Sequence, residues 1–256
     1  MTQVSNRLLS LDVMRGLTIA GMIMVNNPGS WKYVYAPLRH AEWNGLTPTD
    51  LVFPFFMFIM GVSMYFSLRK YDFKLTKTSF WKVKKRAVLI FLVGFAINFL
   101  VTLLYDGWEG MKDLRILGVL QRLALAYGFG SFIGLTINHK YLLHTAAAFL
   151  LGYAALLGVT GSTELSEGNL IAVIDRALFG PTHMYHDYLP DGTRIAFDPE
   201  GLLSCLGSIG HVLIGFYAGK LIADNKQDKA LIVQRLFILG TIILFAGLLL
   251  SYGCPI

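Results

Sequence analysis

The sequence predicts an all-α protein, a polytopic transmembrane helix bundle with about seven spanning helices. Three observations carry that reading. The 256-residue chain is 55% hydrophobic and only 15% charged, with a mean hydropathy of +0.56, where a soluble domain of this size carries nearer a quarter charged residues. Its apolar residues come in blocks of about 20, the length a spanning helix needs. The blocks also lack the period-2 alternation of a membrane barrel, and in lipid a backbone must pair its polar groups within the segment, so they are read as helices.

The first block, Leu8–Asn27, holds Asp12 and Arg15 and lacks an Ala-x-Ala-like cleavage site, so it reads as a retained helix and not as a cleaved signal peptide. Asp12 and Arg15 are three residues apart, share one helix face and can pair, either as a local anchor or as part of a ligand site. Pro28, Gly29 and Pro37 then break the helix. The second block is Leu51–Leu68. It is followed by "RKYDFKLTKTSFWKVKKR", residues 69–86, which carries eight basic residues. The remaining blocks are Ala87–Leu104, Ile116–Ile137, Tyr141–Val159, Leu202–Ala223 and Leu231–Tyr252. With no internal repeat and no low-complexity linker, residues 1–256 read as a single membrane domain.

The formal charge of +6 comes largely from one short loop between apolar blocks. That placement marks a cytoplasmic loop under the positive-inside rule and argues against a nucleic-acid partner. It puts the N-terminus on the cytoplasmic side, and His40 and the long segment 161–201 on the outer side. Cys205 and Cys254 lie in or beside apolar segments without close Cys or His partners, so they suggest neither a disulfide framework nor zinc.

The chemistry is concentrated in "HAEWNGLTPTDLVFPFFMFIMG", residues 40–61, where an acid–base threshold meets an apolar helix. A loop histidine is most often a surface residue. Here, however, Asp50 opens the next helix ten residues later, and a carboxylate can orient a histidine and stabilise its imidazolium for general-base work. Trp31, Tyr33, Tyr35 and Trp43 suit an interfacial aromatic belt, which does not account for Asn26, Asn27, His40, Asn44 and Asp50 gathered around them. Arg122 lies inside the fourth block with no acid near it in sequence. It pairs either with a carboxylate from another helix, such as Asp12 or Asp50, or with an anionic ligand. In the outer segment His183 and His186 make only a weak metal pattern. Asp198 and Glu200 flank Pro199 before the sixth block, where they either cap the helix N-terminus or present carboxylates to a cationic or hydroxyl-rich substrate.

Together, "RLLSLDVMRGLTIAGMIMVNN", "HAEWNGLTPTDLVFPFFMFIMGVS", "LRILGVLQRLALAY" and "HMY…FDPEGLLSCLGSIGHVLIGFYAG" resemble the heparan-alpha-glucosaminide N-acetyltransferase family, most closely its bacterial members. The resemblance covers most of the chain. It implies an integral enzyme of the bacterial inner (plasma) membrane that moves acetyl from cytosolic acetyl-CoA to a glucosamine-type amine on the outer side. It places the catalytic histidine on His40, its asparagine on Asn26 and its carboxylate on Asp50. Trp43 and Asn44 complete the loop motif and, with His183, Asp198 and Glu200, would face the amino-sugar acceptor. Arg15, Lys85, Arg86 and Arg122 would receive the anionic donor. No metal is implied, and a homodimer is left open. The family pattern continues into further helices beyond Ile256, so the resemblance also implies a C-terminally incomplete bundle. An O-acetyltransferase of envelope glycans and a sugar transporter are the other classes the sequence admits.

Overall fold

Small residues let one helix, α7 (Cys205–Asp224), run through the centre of the bundle. The computed structural model describes residues 8–41, 43–189 and 191–253; Glu42 of the loop motif and Cys254 lie outside the described residues. Around α7 stand α2 (Val52–Arg69), α4 (Val119–Thr136) and α5 (Leu142–Val159). A Cβ on Gly61 would overlap the Val212 carbonyl, and one on Gly215 would overlap the Phe58 carbonyl, so α2 and α7 meet backbone to backbone. Gly134 makes room for the Phe216 ring in the same way. Between membrane helices there is little hydrophobic drive, and close approach through small residues supplies the packing instead. Met57, Met64, Leu123, Tyr127, Val212, Leu213 and Phe216 fill the resulting core.

On the outside of this group α3 (Lys77–Asp106) lies along α4, α1 (Leu9–Asn26) leans on α2, and α8 (Lys229–Ser251) leans on α7. Their outer faces carry exposed Leu17, Leu92 and Leu249, as expected where lipid is the solvent. Among the described residues six helices are long and apolar enough to span, counting the short turns that lead into α2 and α5. The seventh expected span is α4, which has the length but carries Gln121 and Arg122 in its first turn. The expected all-α membrane bundle is therefore what forms.

Two local devices set the start of α3. Thr76 and Ser79 form a reciprocal capping box, which satisfies the first free N–H groups. Just before it, Asp72 and Phe73 both sit at φ 51°, a left-handed conformation that costs a side-chain-bearing residue about 1–2 kcal/mol. The cost is offset by where the Phe73 ring goes: its centroid lies 4.4 Å from His139 and 4.8 Å from Tyr65.

The segment after α5, which the sequence presents as a polar loop, is an ordered cap. It contains α6 (Leu170–Phe179) and a hairpin of β1 (His186–Tyr188) and β2 (Arg194–Ala196), paired antiparallel with His186 opposite Ala196. Ile171, Ala172, Ile195 and Phe197 form its small core, against which Trp43, Tyr153 and Leu157 pack. A ten-residue helix and three-residue strands are too short to register as periodicity in the sequence.

Asp175 of α6 is fully buried in this cap. Its Oδ1 accepts from the Leu202 N–H at 3.0 Å, while Oδ2 has no partner among the described residues. Burial pushes its pKa up to about 6, opposed by the Leu202 bond and aided by Asp198. A carboxyl whose folded pKa is raised binds more protons folded than unfolded. The stability this group contributes is therefore fully present below the usual value of 3.8 and is lost as pH rises toward about 6. Asp175→Asn is expected to stabilise the protein at neutral pH by about 1–2 kcal/mol and to flatten that dependence. Thermal unfolding in detergent at pH 5 and pH 7.5 measures it; an unchanged difference between the two pH values would refute the assignment.

Candidate active site

The chain leaves α1 at Asn26, turns at Gly29 (φ 74°) and passes two short 3-10 turns before reaching His40. It then folds back around one carboxylate. Asp50 lies in the turn that opens α2, and its Oδ2 accepts from the backbone N–H of Thr47 at 2.9 Å and of Ala41 at 3.2 Å. The Thr47 hydroxyl is 2.9 Å from the same oxygen. With Oδ2 held from three directions, Oδ1 is fixed toward His40 Nδ1 at 2.6 Å. The Asp50 side chain is 23% exposed and that of His40 61%. One end of the pair is thus anchored in protein while the imidazole stands open.

Trp43 fastens this loop to the cap. Its Nε1–H donates to the Thr163 carbonyl at 2.9 Å, and its ring meets Phe197 edge to face at 5.2 Å. Asn44 is exposed beside it. Asn26 does not join the group: its amide donates to the Met22 carbonyl at 2.9 Å, and Asn27 folds back onto Ile23 in the same manner.

Arg122 lies just inside this loop. Its guanidinium donates to Ser208 Oγ at 2.6 Å and to the carbonyls of Pro199 and Ser204, and stacks 5.2 Å from the Phe53 ring, one helical turn beyond Asp50. It takes neither Asp12 nor Asp50, and among the described residues no carboxylate forms an ion pair with it. The other expected donor-binding cations lie elsewhere. Arg15 pairs with Asp12 at 3.4 Å and donates to Ser63 Oγ, about 15 Å of α2 from Phe53. Arg86 sits 4.9 Å over the Tyr127 ring, and Lys85 is exposed on α3. The four cations therefore divide between two depths of the bundle and do not form one cluster.

Asp198 and Glu200 are committed to a residue the sequence did not single out. Arg115 grips Asp198 with Nε–Oδ2 at 2.9 Å and Nη2–Oδ1 at 2.6 Å, and also bonds Glu200. Burial opposes the charge on Arg115, but the two carboxylates outweigh it and raise its pKa further. Asp198 also accepts from the N–H groups of Tyr185 and Glu200 and is 1% exposed. Neither acid caps α7, which starts only at Cys205. His183 donates from Nδ1 to the Leu114 carbonyl at 2.9 Å, so it stitches the 114–116 strip to the cap. The one sequence signal for this network was an arginine at the threshold of an apolar block, with the nearby Asp113 offering it a misleading local partner. Among the described residues no three His, Cys, Asp or Glu side chains are grouped as metal ligands.

Fold and site together define a polytopic membrane protein with a histidine–carboxylate pair held at one end of its bundle. The sequence places it further. The family model described as heparan-alpha-glucosaminide N-acetyltransferase, catalytic, matches residues 7–190. The heparan-alpha-glucosaminide N-acetyltransferase of Mus musculus is 31% identical over 287 residues, covering 90% of this chain and 41% of its own length. The protein of that name from Homo sapiens is 31% identical over 282 residues, covering 90% and 40%. The chain belongs to this family, and it spans about two fifths of the length of these relatives.

Proposed function

We propose that the chain carries the acid–base site of a transmembrane acetyltransferase that moves acetyl from acetyl-CoA to the amine of a glucosamine-type sugar. The observation that carries this reading is the 2.6 Å His40–Asp50 bond, within the stretch that the family model matches. Asp50 occupies Nδ1, so Nε2 is the ring nitrogen left for a substrate proton. In this reading the sugar amine adds to the thioester carbonyl and His40 takes the ammonium proton. The coenzyme A thiolate then leaves with the electrons of the broken C–S bond and collects that proton. Arg122, which stacks on Phe53 one turn beyond Asp50 and forms no ion pair with a carboxylate among the described residues, supports the oxyanion, with Asn44 at the loop surface. Asn26 reaches the same oxygen only after releasing the Met22 carbonyl.

The basic loop and the N-terminus face the cytoplasm in this scheme, where Arg15, Lys85 and Arg86 meet the donor's phosphates. His40 then faces the outer side of an inner (plasma) membrane, and the thioester arm passes between the helices to reach it. The test is acetyl transfer by the purified chain in proteoliposomes, with labelled acetyl-CoA and a set of amino sugars and hydroxylated glycans. Acetylation of the amine is expected. Product only on hydroxyls would make this an O-acetyltransferase, and sugar accumulation without acetyl-CoA would make it a transporter.

The Trp43 anchor has a kinetic consequence. Trp43→Ala is expected to lower kcat about tenfold or more, because small misplacements of a reacting group are costly. Trp43→Phe, which keeps the ring packing and loses only the bond to Thr163, is expected to lower it less. Equal losses in the two variants would show that the ring contact with Phe197 does not position the loop.

A further inference from the structure

A cleft of about 370 Å³ lies between the first turns of α3 and the last turns of α4, far from the His40 loop. Its floor is Val83, Ala87, Ala124 and Gly128, and its walls are Phe80, Phe129 and Phe132. These wall rings are 45%, 55% and 47% exposed, so the cleft opens sideways, toward the surrounding lipid. Its volume is in the range that bound small molecules occupy. One cation stands at its rim: Lys84, whose ammonium is 4.8 Å over the Trp81 ring.

The spacing explains why charge and groove coincide. Phe80, Val83, Lys84 and Ala87 follow i, i+3, i+4, i+7 and so share one face of α3. Lys77 lies seven residues before Lys84 on that face, whereas Lys82 is turned about 200° away. A long lysine at the end of an apolar stretch bends its ammonium toward the headgroup level, and tryptophan favours the same depth. An occupant must therefore be apolar along most of its length, anionic at one end, and delivered from within the bilayer.

We propose that this cleft binds an anionic phospholipid of the leaflet on the basic-loop side, with an acyl chain over Gly128 and the headgroup phosphate at Lys84. Charge complementarity selects this occupant over a zwitterionic lipid: residues 69–86 carry eight basic side chains and a single acid, Asp72. Clusters of this density beside a spanning helix attract acidic lipids, and the cleft turns that general attraction into a defined seat. The seat is separate from the donor cations, since Arg86 stacks on Tyr127 and Lys85 is not among the lining residues.

The test uses the full chain reconstituted in nanodiscs of phosphatidylcholine, alone or with phosphatidylglycerol, and reads the melting temperature. Phosphatidylglycerol is expected to raise it by several degrees. Lys84→Ala is expected to lose most of that shift, and Lys82→Ala to keep it. Gly128→Leu fills the groove without touching any charge and is expected to lose the shift. Gly128→Ala adds a methyl whose nearest neighbour is Ala87 Cβ at 3.6 Å, so it folds and keeps the shift. Should the leucine variant fail to fold, the two lysine variants decide. Equal losses in Lys82→Ala and Lys84→Ala would reduce the effect to diffuse charge and overturn the proposal. So would an equal shift from glycerol phosphate in phosphatidylcholine discs, which would mean a free-phosphate site. Abolition of the shift by coenzyme A would assign the cleft to the donor and overturn the proposal as well.

Discussion

Replacing His40 by alanine is expected to reduce acetyl transfer by about 10²–10⁴-fold, the usual contribution of a positioned acid–base group. Binding of acetyl-CoA at the basic face is expected to survive, because no basic residue there bonds to the His40 loop. Asp50→Asn is expected to fall between this variant and the wild type. The amide oxygen can still accept from Thr47 and Ala41, which keeps the loop folded, but a neutral side chain cannot stabilise an imidazolium. The comparison thus separates loop geometry from charge. Incubating the wild type with labelled acetyl-CoA and no acceptor distinguishes direct transfer from an acetyl-histidine intermediate: label retained on the protein and lost in His40→Ala marks the covalent route. A fully active His40→Ala would end both schemes.

The second large effect concerns the backbone. Gly215→Val is expected to destabilise the bundle by about 3 kcal/mol and to leave little monodisperse protein in detergent. The Cβ at this position would lie 2.1 Å from the Phe58 carbonyl oxygen, and one on Gly61 of the facing helix would lie 2.1 Å from that of Val212. A flexible side chain could swing aside, but a helix backbone cannot. The two helices would have to separate, opening the core around Met57, Val212 and Leu213. Gly152→Ala on α5 is the matched control, because nothing lies within 4 Å of its Cβ, and it is expected to be neutral or mildly stabilising. Size-exclusion profiles and melting temperatures report both. A Gly215→Val protein with the melting temperature of the wild type would overturn the backbone-to-backbone α2–α7 crossing.

The spanning helices were legible because lipid imposes one rule on every block, and length and hydropathy are enough to read it. The His40–Asp50 pair was also legible. It joins residues ten apart across a short loop, and the acid opens a helix whose start the composition announces. Arg122 was marked as anomalous by its charge alone, but its neutral partners Ser208, Ser204 and Pro199 lie more than 75 residues away in sequence and left no local pattern. Asp198 and Glu200 misled for the same reason. A pair of acids before an apolar block reads as a helix cap, and only the fold reveals that Arg115 claims them from 83 and 85 residues away. Asn26 was drawn toward His40 by motif, while its side chain takes the nearest carbonyl of its own helix, a local bond that competes with any distant partner.

The thirty residues of α3 make it the longest helix described, and its charges are unevenly placed. From Ala87 to Tyr105 it carries none, a stretch of about 28 Å, close to the roughly 30 Å of a typical hydrocarbon layer. The remaining basic part, Lys77–Arg86, continues the helix for about 15 Å from the hydrocarbon edge through the headgroup level. A thinner bilayer could be met by tilting α3. A thicker one would draw Lys84, Lys85 and Arg86 below the surface. The helix thus acts as a gauge with a stop at one end, and it would sort this chain toward the thinner membranes of any cell that offers a choice.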